Sequence, residues 1–415
     1  MRNIKWKIYS LIVVLVIGLN VLAWNSRAFC DWYISHVFPI WVNTYGRLTG
    51  IFPFSVGEIM IVLGLVLVTV TVILGLVWGA MTFACGKVQK KRASEVSLRS
   101  MDMLTVSLAK QEKRTRGHHL NKFNRFCRIY FQVFAWILAV VALVMTLNCF
   151  ILYHASTFSE KYFSKMEGYE PQKEYTLEDL IKLRAYVVEK CNRFSGEMLR
   201  DERGFIVYEG DFAAGAKSSM KNLGETYSCL KGYYPTPKPL FFSDFLSQQY
   251  MTGYYFPFSM EANYNKVMYV MNKPATYCHE LAHLKGYIYE DEANFIAYLA
   301  CVGAEDELFQ YAGYLSVLNY IDNDFYDSVE KNRDRYLAEI NILPQVHEDN
   351  VFLTREEWER IEDKAVFDTE TVDAVSDSFT DTTLKLNGVS DGMASYSRVV
   401  ELLLQYYDIY GYPED

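Results

Sequence analysis

Three uninterrupted apolar runs, Ile8 to Trp24, Ile59 to Phe83 and Tyr130 to Tyr153, constrain this chain more than any other feature. Each approaches or exceeds the ~20 residues a helix needs to cross hydrocarbon. A spanning backbone must satisfy its own hydrogen bonds, and the strands of a closed barrel would alternate in polarity instead of staying apolar. The first half of the chain is therefore expected to be an α-helical membrane anchor of three transmembrane helices. Arg2, Lys5 and Lys7 before the first run suit a signal peptide, but Ser26 to Ala28 is a poor cleavage site, so the run is read as an uncleaved anchor.

Charge divides the chain in the same way. Residues 1–153 carry 17 Lys and Arg against 5 Asp and Glu, and the remaining residues carry 24 against 45. The stretch 86–128 alone holds twelve basic residues against three acids. A short connection with that excess stays in the cytoplasm. It predicts a cytoplasmic N-terminus, an external connection from Asn25 to Gly57, and an extracytoplasmic domain over 154–415 behind the anchor of 1–153. The basic loop has a sufficient role beside anionic lipid head groups, and no nucleic-acid partner is expected. The eight cysteines contain no CxxC pair and show no disulfide framework.

Local patterns in the second half are mainly helical. Leu180, Leu183, Val187, Cys191 and Phe194 form an amphipathic stripe after a Thr176–Asp179 start signal. A second helix is predicted over Asp211 to Leu230, followed by an extended, proline-broken segment from Tyr234 to Pro239. Two strands are predicted between Gln248 and Met271, with Pro257 marking an edge that could receive an extended ligand. Helices follow over His279–Lys285, Glu290–Gly303, Glu307–Ile321, Arg355–Val366 and about Ser395–Tyr410. Thr354 with Glu357 has the pattern of a capping box, and Leu353 with Trp358 that of a hydrophobic staple. The acidic stretch Asp368 to Ser378 reads as a solvated face or loop. The expected architecture is an α+β, mostly helical domain.

One pentapeptide carries chemistry: His279-Glu280-Leu281-Ala282-His283. Two imidazoles four residues apart share a helix face and can take two positions on one zinc ion. Glu280 stands beside them, placed to act as general base toward a water at the metal. The opposite side, with Cys278, Leu281 and Ala282, can pack. Without a metal the same residues would be a helix with two solvated histidines.

A catalytic zinc needs a third protein ligand and an open position. Gly286 can end the helix in a left-handed conformation and turn the chain back. Glu290, Asp291 and Glu292 then open a new helix, where Glu290, Asn294 and Ala297 share one face and Glu292 points away. Glu290 is the preferred ligand, with Glu292, His347 and His154 as alternatives. Asn294, one turn on, is placed to hydrogen-bond a ligand histidine and fix its tautomer. A favourable negative first turn would also account for the three acids.

At these residues the chain resembles the zincin metallopeptidases and, through HELAH followed by Glu290-Asp291-Glu292-Ala293-Asn294, the gluzincins in particular. The resemblance implies a zincin-like fold with Glu290 as the glutamate that completes the site. Asn294 departs from the Asp many gluzincins carry there, and the gap from His283 to Glu290 is shorter than in the thermolysin-like branch. Gly286 matches the metzincin pattern, but Tyr289 stands where their third histidine would be. Over nearly its whole length, through Tyr254 to Asn265, the HELAH helix and Leu386 to Tyr407, the chain also resembles an uncharacterised bacterial membrane-protein family.

The resulting expectation is a membrane-anchored zinc metallopeptidase acting on peptides or proteins outside the cytoplasm. Ligands would be His279, His283 and Glu290, with Glu280 as base and a tyrosine, among them Tyr255, Tyr287, Tyr289 or Tyr298, for the oxyanion. The alternative is a non-catalytic zinc-binding receptor or envelope scaffold. Cleavage inside the membrane fits poorly, because Lys273, Lys285 and Glu290 flank the motif and no apolar run encloses it.

Overall fold

The computed structural model describes residues 2–95, 103–166, 169–170, 173–386 and 398–413. The start of the closing helix at Ser395 and part of the basic connection, 96–102, lie outside them. The chain forms two compact units, Met1–Ile17 with Glu58–Leu143, and Gly18–Gly57 with Val144–Asp415.

The first unit is built from long helices. Lys5–Asn25, Val56–Ala84 and Asn121–His154 are three segments long and apolar enough to cross a membrane. Leu63, Leu65, Val66 and Val68 leave their side chains exposed, as a lipid-facing helix requires. Polar contacts join the second and third of these helices among the described residues. Thr71 Oγ1 and Tyr130 Oη lie 2.8 Å apart, and Trp78 Nε1 donates to Asn124 Oδ1 at 2.9 Å.

The second unit is mostly helical and holds one small sheet. Three strands, β1 (Lys238–Pro239), β2 (Gly253–Phe256) and β3 (Glu261–Tyr264), lie in the order β1-β3-β2. β1 is parallel to β3 and β2 antiparallel to it, with Tyr254 opposite Asn263. β1 and β2 are therefore the two edges of the sheet, and β2 stops at Phe256, just before Pro257.

The predicted stripe on the helix Leu177–Glu197 is buried at Leu180, Leu183, Val187, Cys191 and Phe194. A reciprocal capping box between Thr176 and Asp179 starts that helix. Asp211 caps Phe212–Thr226, and Thr354 accepts from Glu357 N at the start of Arg355–Lys364. The acidic stretch proves to be helical, Thr369–Leu386. Asp368 accepts from both the backbone N and the hydroxyl of Thr371, a start signal hidden among like charges.

The segment between the first two spans is more than a connection. Its helices Arg27–His36 and Phe38–Thr49 bury Cys30, Tyr33, Ile34, Phe38 and Val42 in the core of the second unit. The loop after them is held by a buried ion pair of Lys238 with Glu261. Lys238 Nζ also donates to Thr49 O (2.7 Å) and Phe54 O (3.1 Å), while Glu261 Oε2 accepts from Gly57 N (2.8 Å) and Ser259 Oγ (2.7 Å).

Candidate metal centre

The motif helix, Lys273–His283, starts on Pro274, whose missing N–H costs nothing in a first turn. Cys278, Leu281 and Ala282 are fully buried, so the histidines face the other way. The helix ends on Gly286 at φ +91°, where a β-carbon would also lie 2.8 Å from Ile34 Cγ2. The chain turns there into the glutamate helix, Glu290–Val302, which packs beside the motif helix.

This turn brings His279, His283 and Glu290 together, with one ligand atom from each within 4.8 Å of the others. His279 Nε2 is 3.0 Å from Glu290 Oε2, and His283 Nε2 is 3.8 Å from Glu290 Oε1. The outward nitrogens are committed elsewhere. His283 Nδ1 lies 2.7 Å from Tyr287 O, which can only accept, and His279 Nδ1 lies 2.8 Å from Asn294 Oδ1. Both Nδ1 atoms therefore carry a proton, and both Nε2 atoms point at the same space, where each offers a lone pair once unprotonated. These donors fit a small dication: two imidazoles and a carboxylate with positions left open.

Glu280 supplies a further sign of a reactive centre. Its side chain is 3% exposed, and Oε2 is buried with no protein partner. Burial pushes its carboxyl up to about 8, with His279 opposing and Glu290 reinforcing. Burial disfavours charge on His279, yet Glu290 prevails and raises it to about 9; burial and His279 bring His283 down to about 4. Glu290 resists burial through the same two imidazoles and stays below its usual range. In the absence of an ion, a proton on His279 compensates Glu290.

The alternative ligands are placed elsewhere. Glu292 is buried on the far side of its helix, where it accepts from Phe158 N. His347 is exposed, and the His154 ring lies 4.4 Å from that of Trp24. The four expected tyrosines are likewise engaged: Tyr255 Oη donates to Asn148 O, Tyr287 Oη to Cys229 Sγ and Tyr289 Oη to Tyr153 O, and Tyr298 Oη pairs with that of Tyr407.

Sequence reasoning missed two residues. Tyr320, on the helix Glu307–Ser328, lines the cleft and interacts with Asn294 and Glu290. Gly253 is the other: a β-carbon there would come within 2.5 Å of Asn263 O and 2.8 Å of Glu280 Oε1. Nothing in the local pattern marks Tyr320 among 32 tyrosines, whereas a glycine opening a strand does hint at a close approach.

The centre sits in a cleft of about 790 Å³. One wall is the edge strand β2, through Gly253, Tyr254 and Tyr255; Ser316, Asn319 and Tyr320 form another. Asp373 and Asp377 of the acidic helix also line it. No curated protein and no solved structure matches the chain. A family model does, over residues 101–404, a span that includes the third apolar helix, the whole cleft and the first half of the closing helix Val399–Tyr410. The chain therefore belongs to the family described as a protein of unknown function (DUF3810).

Proposed function

We propose that the chain is a membrane-anchored, zinc-dependent peptidase of gluzincin type. The observation that carries this reading is the convergence of His279 Nε2, His283 Nε2 and the Glu290 carboxylate beside the unpartnered Oε2 of Glu280. In this reading the apolar helices of 1–153 are the anchor, and 154–415, with the Asn25 to Gly57 connection packed into it, is a zincin-like catalytic domain outside the cytoplasm. The basic connection then lies in the cytoplasm, as its charge demands.

Bound by the three ligands, zinc would polarise a scissile carbonyl and lower the pKa of water. Glu280 takes the proton of the attacking water and returns it to the leaving amine. Asn294 and Tyr287 O hold the imidazoles in the tautomer that ligates. Tyr320 offers the cleft a hydroxyl for the developing oxyanion. β2, an outer strand that lines the cleft, can receive extended polypeptide.

The full-length protein in detergent or lipid discs, tested for bound zinc and for hydrolysis of unfolded casein, distinguishes this from a zinc-binding receptor. Glu280→Gln should keep zinc and lose hydrolysis, His283→Ala should lose both, and Tyr320→Phe should keep zinc and turn over more slowly. A wild-type protein without stoichiometric metal would refute the proposal. For orientation, Val366 is 87% exposed, so Val366→Cys should react with an impermeant maleimide on intact cells. Protection until the cells are opened would reverse the topology.

A further inference from the structure

The centre is tied to the ends of the membrane spans by short connections. Tyr255 stands between them: its ring is 6.0 Å from that of His283, and its hydroxyl donates to Asn148 O at 3.1 Å. Asn148 belongs to the π-helical turn Thr146–Phe150 that closes the third apolar helix. The same residue donates from Nδ2 to Pro257 O at 2.9 Å, just beyond β2. Tyr289, next to ligand Glu290, donates to Tyr153 O at 2.6 Å. Phe256, the last residue of β2, packs so close to Gly57, the second residue of the second long helix, that a β-carbon there would meet its ring at 2.8 Å.

The depth of these ties follows from the third helix. Arg128 is its last basic residue before the apolar run, and a hydrocarbon crossing of ~20 residues from there ends near Asn148. The metal ligands thus stand one tyrosine side chain beyond the hydrocarbon boundary. An exposed apolar rim lies on the same side. Ile51 (73% exposed), Phe52 and Phe54 lead into the second span, and Lys238 bonds that loop to β1. Phe241, Phe242 and Phe245 follow just past β1 and are exposed as well. Exposed aromatic side chains beside a span suit the head-group region.

We infer that the substrate is a membrane-tethered polypeptide, cut in the segment that emerges from the bilayer. This rests on the peptidase reading. β2 runs from Gly253, beside Glu280, to Phe256, beside the span ends, and lines the cleft, so an extended substrate lying along it has one end at the membrane. At ~3.3–3.6 Å per residue, an emerging chain reaches the ligands within roughly three to six residues. A cleft built for soluble peptides has no need of this proximity, and a folded ectodomain would hold its chain out of reach.

The test uses full-length protein in liposomes and one unstructured mixed-sequence peptide in three forms at matched peptide concentration. The forms are soluble, coupled directly to a lipid head group, and coupled through a Gly/Ser spacer of about 25 residues, which averages roughly 25–30 Å. The directly coupled form should be cut about tenfold faster than the spaced one, because only it dwells at the depth of the site. Its cuts should cluster near the anchored end, and none should occur with Glu280→Gln. Equal rates on the two tethered forms, or faster cleavage of the soluble one, with Glu280→Gln inactive, overturn the inference and leave the peptidase reading standing. Absence of Glu280-dependent cleavage in all three overturns the reading and the inference with it.

Discussion

Asn294 Oδ1 sits 2.8 Å from His279 Nδ1, so the residue that departs from the resemblance to gluzincins is the one placed to orient the proposed ligand His279. A neutral amide still fixes the tautomer but adds no negative charge to the imidazole. Asn294→Ala should weaken zinc binding about 10–100-fold in a chelator competition. Asn294→Asp should bind at least as tightly as the native protein, because it restores the acceptor with a charge. Equal affinity in all three proteins would mean that the contact does not orient the ligand.

Gly253 and Glu280 make a second pair whose spacing has consequences. A β-carbon at 253 would intrude on Glu280 Oε1 and on Asn263 O, the latter part of the β3 backbone and unable to yield cheaply. Gly253→Ala should cost about 1–3 kcal/mol of stability, as overpacking does. It should also lower kcat with zinc content unchanged, since Glu280 moves and the ligands do not. Gly204 provides the control: it has open space around it but a φ of +88°, so alanine there should affect stability alone. Thermal unfolding and steady-state kinetics on both variants separate the effects.

The ion pair of Lys238 with Glu261 is buried on both sides, with side chains 6% and 2% exposed. Removing one partner strands the other charge, at about 3–5 kcal/mol. Lys238→Met and Glu261→Met should each lower the unfolding midpoint strongly. The double variant Lys238→Met with Glu261→Met should fall by less than the sum of the single effects. Additive losses would show that the two side chains do not act as a pair.

The sequence announces this centre unevenly, for physical reasons. Local periodicity places His279, Glu280 and His283 on one face, and it separates Glu290 from Glu292 because residues two apart on a helix point apart. The helix starts at Thr176 and Thr354 were legible from capping chemistry. Tyr320 and Gly253, in contrast, meet the centre through tertiary contacts that leave no periodic trace. The same holds for Tyr255 with Asn148, which are 107 residues apart. The acidic stretch after Asp368 is the largely exposed face that its charge density suggests, but that charge hid its helix, in which one aspartate caps the start and two others line the cleft. The burial of 18–57 in the second unit could not be read from a segment defined only by the spans on either side.

Proton release offers a test of the centre that needs no substrate. Without metal, His279 has its pKa raised to about 9 by Glu290, so at pH 7 it is an imidazolium. His283, near 4, is already neutral. Ligation requires both imidazoles unprotonated at Nε2, so zinc must displace the proton of His279 and none from His283. Glu280, raised to about 8, also holds a proton that a nearby dication would expel. Calorimetry at pH 7 in buffers of different ionisation enthalpy should therefore report between one and two protons released by the native protein, and about one by Glu280→Gln. Raising the pH to about 10 deprotonates His279 beforehand, so release by Glu280→Gln should fall toward zero there. Release near zero from the native protein at pH 7 would mean that no imidazolium stands where the metal binds, contrary to the paired His279 and Glu290.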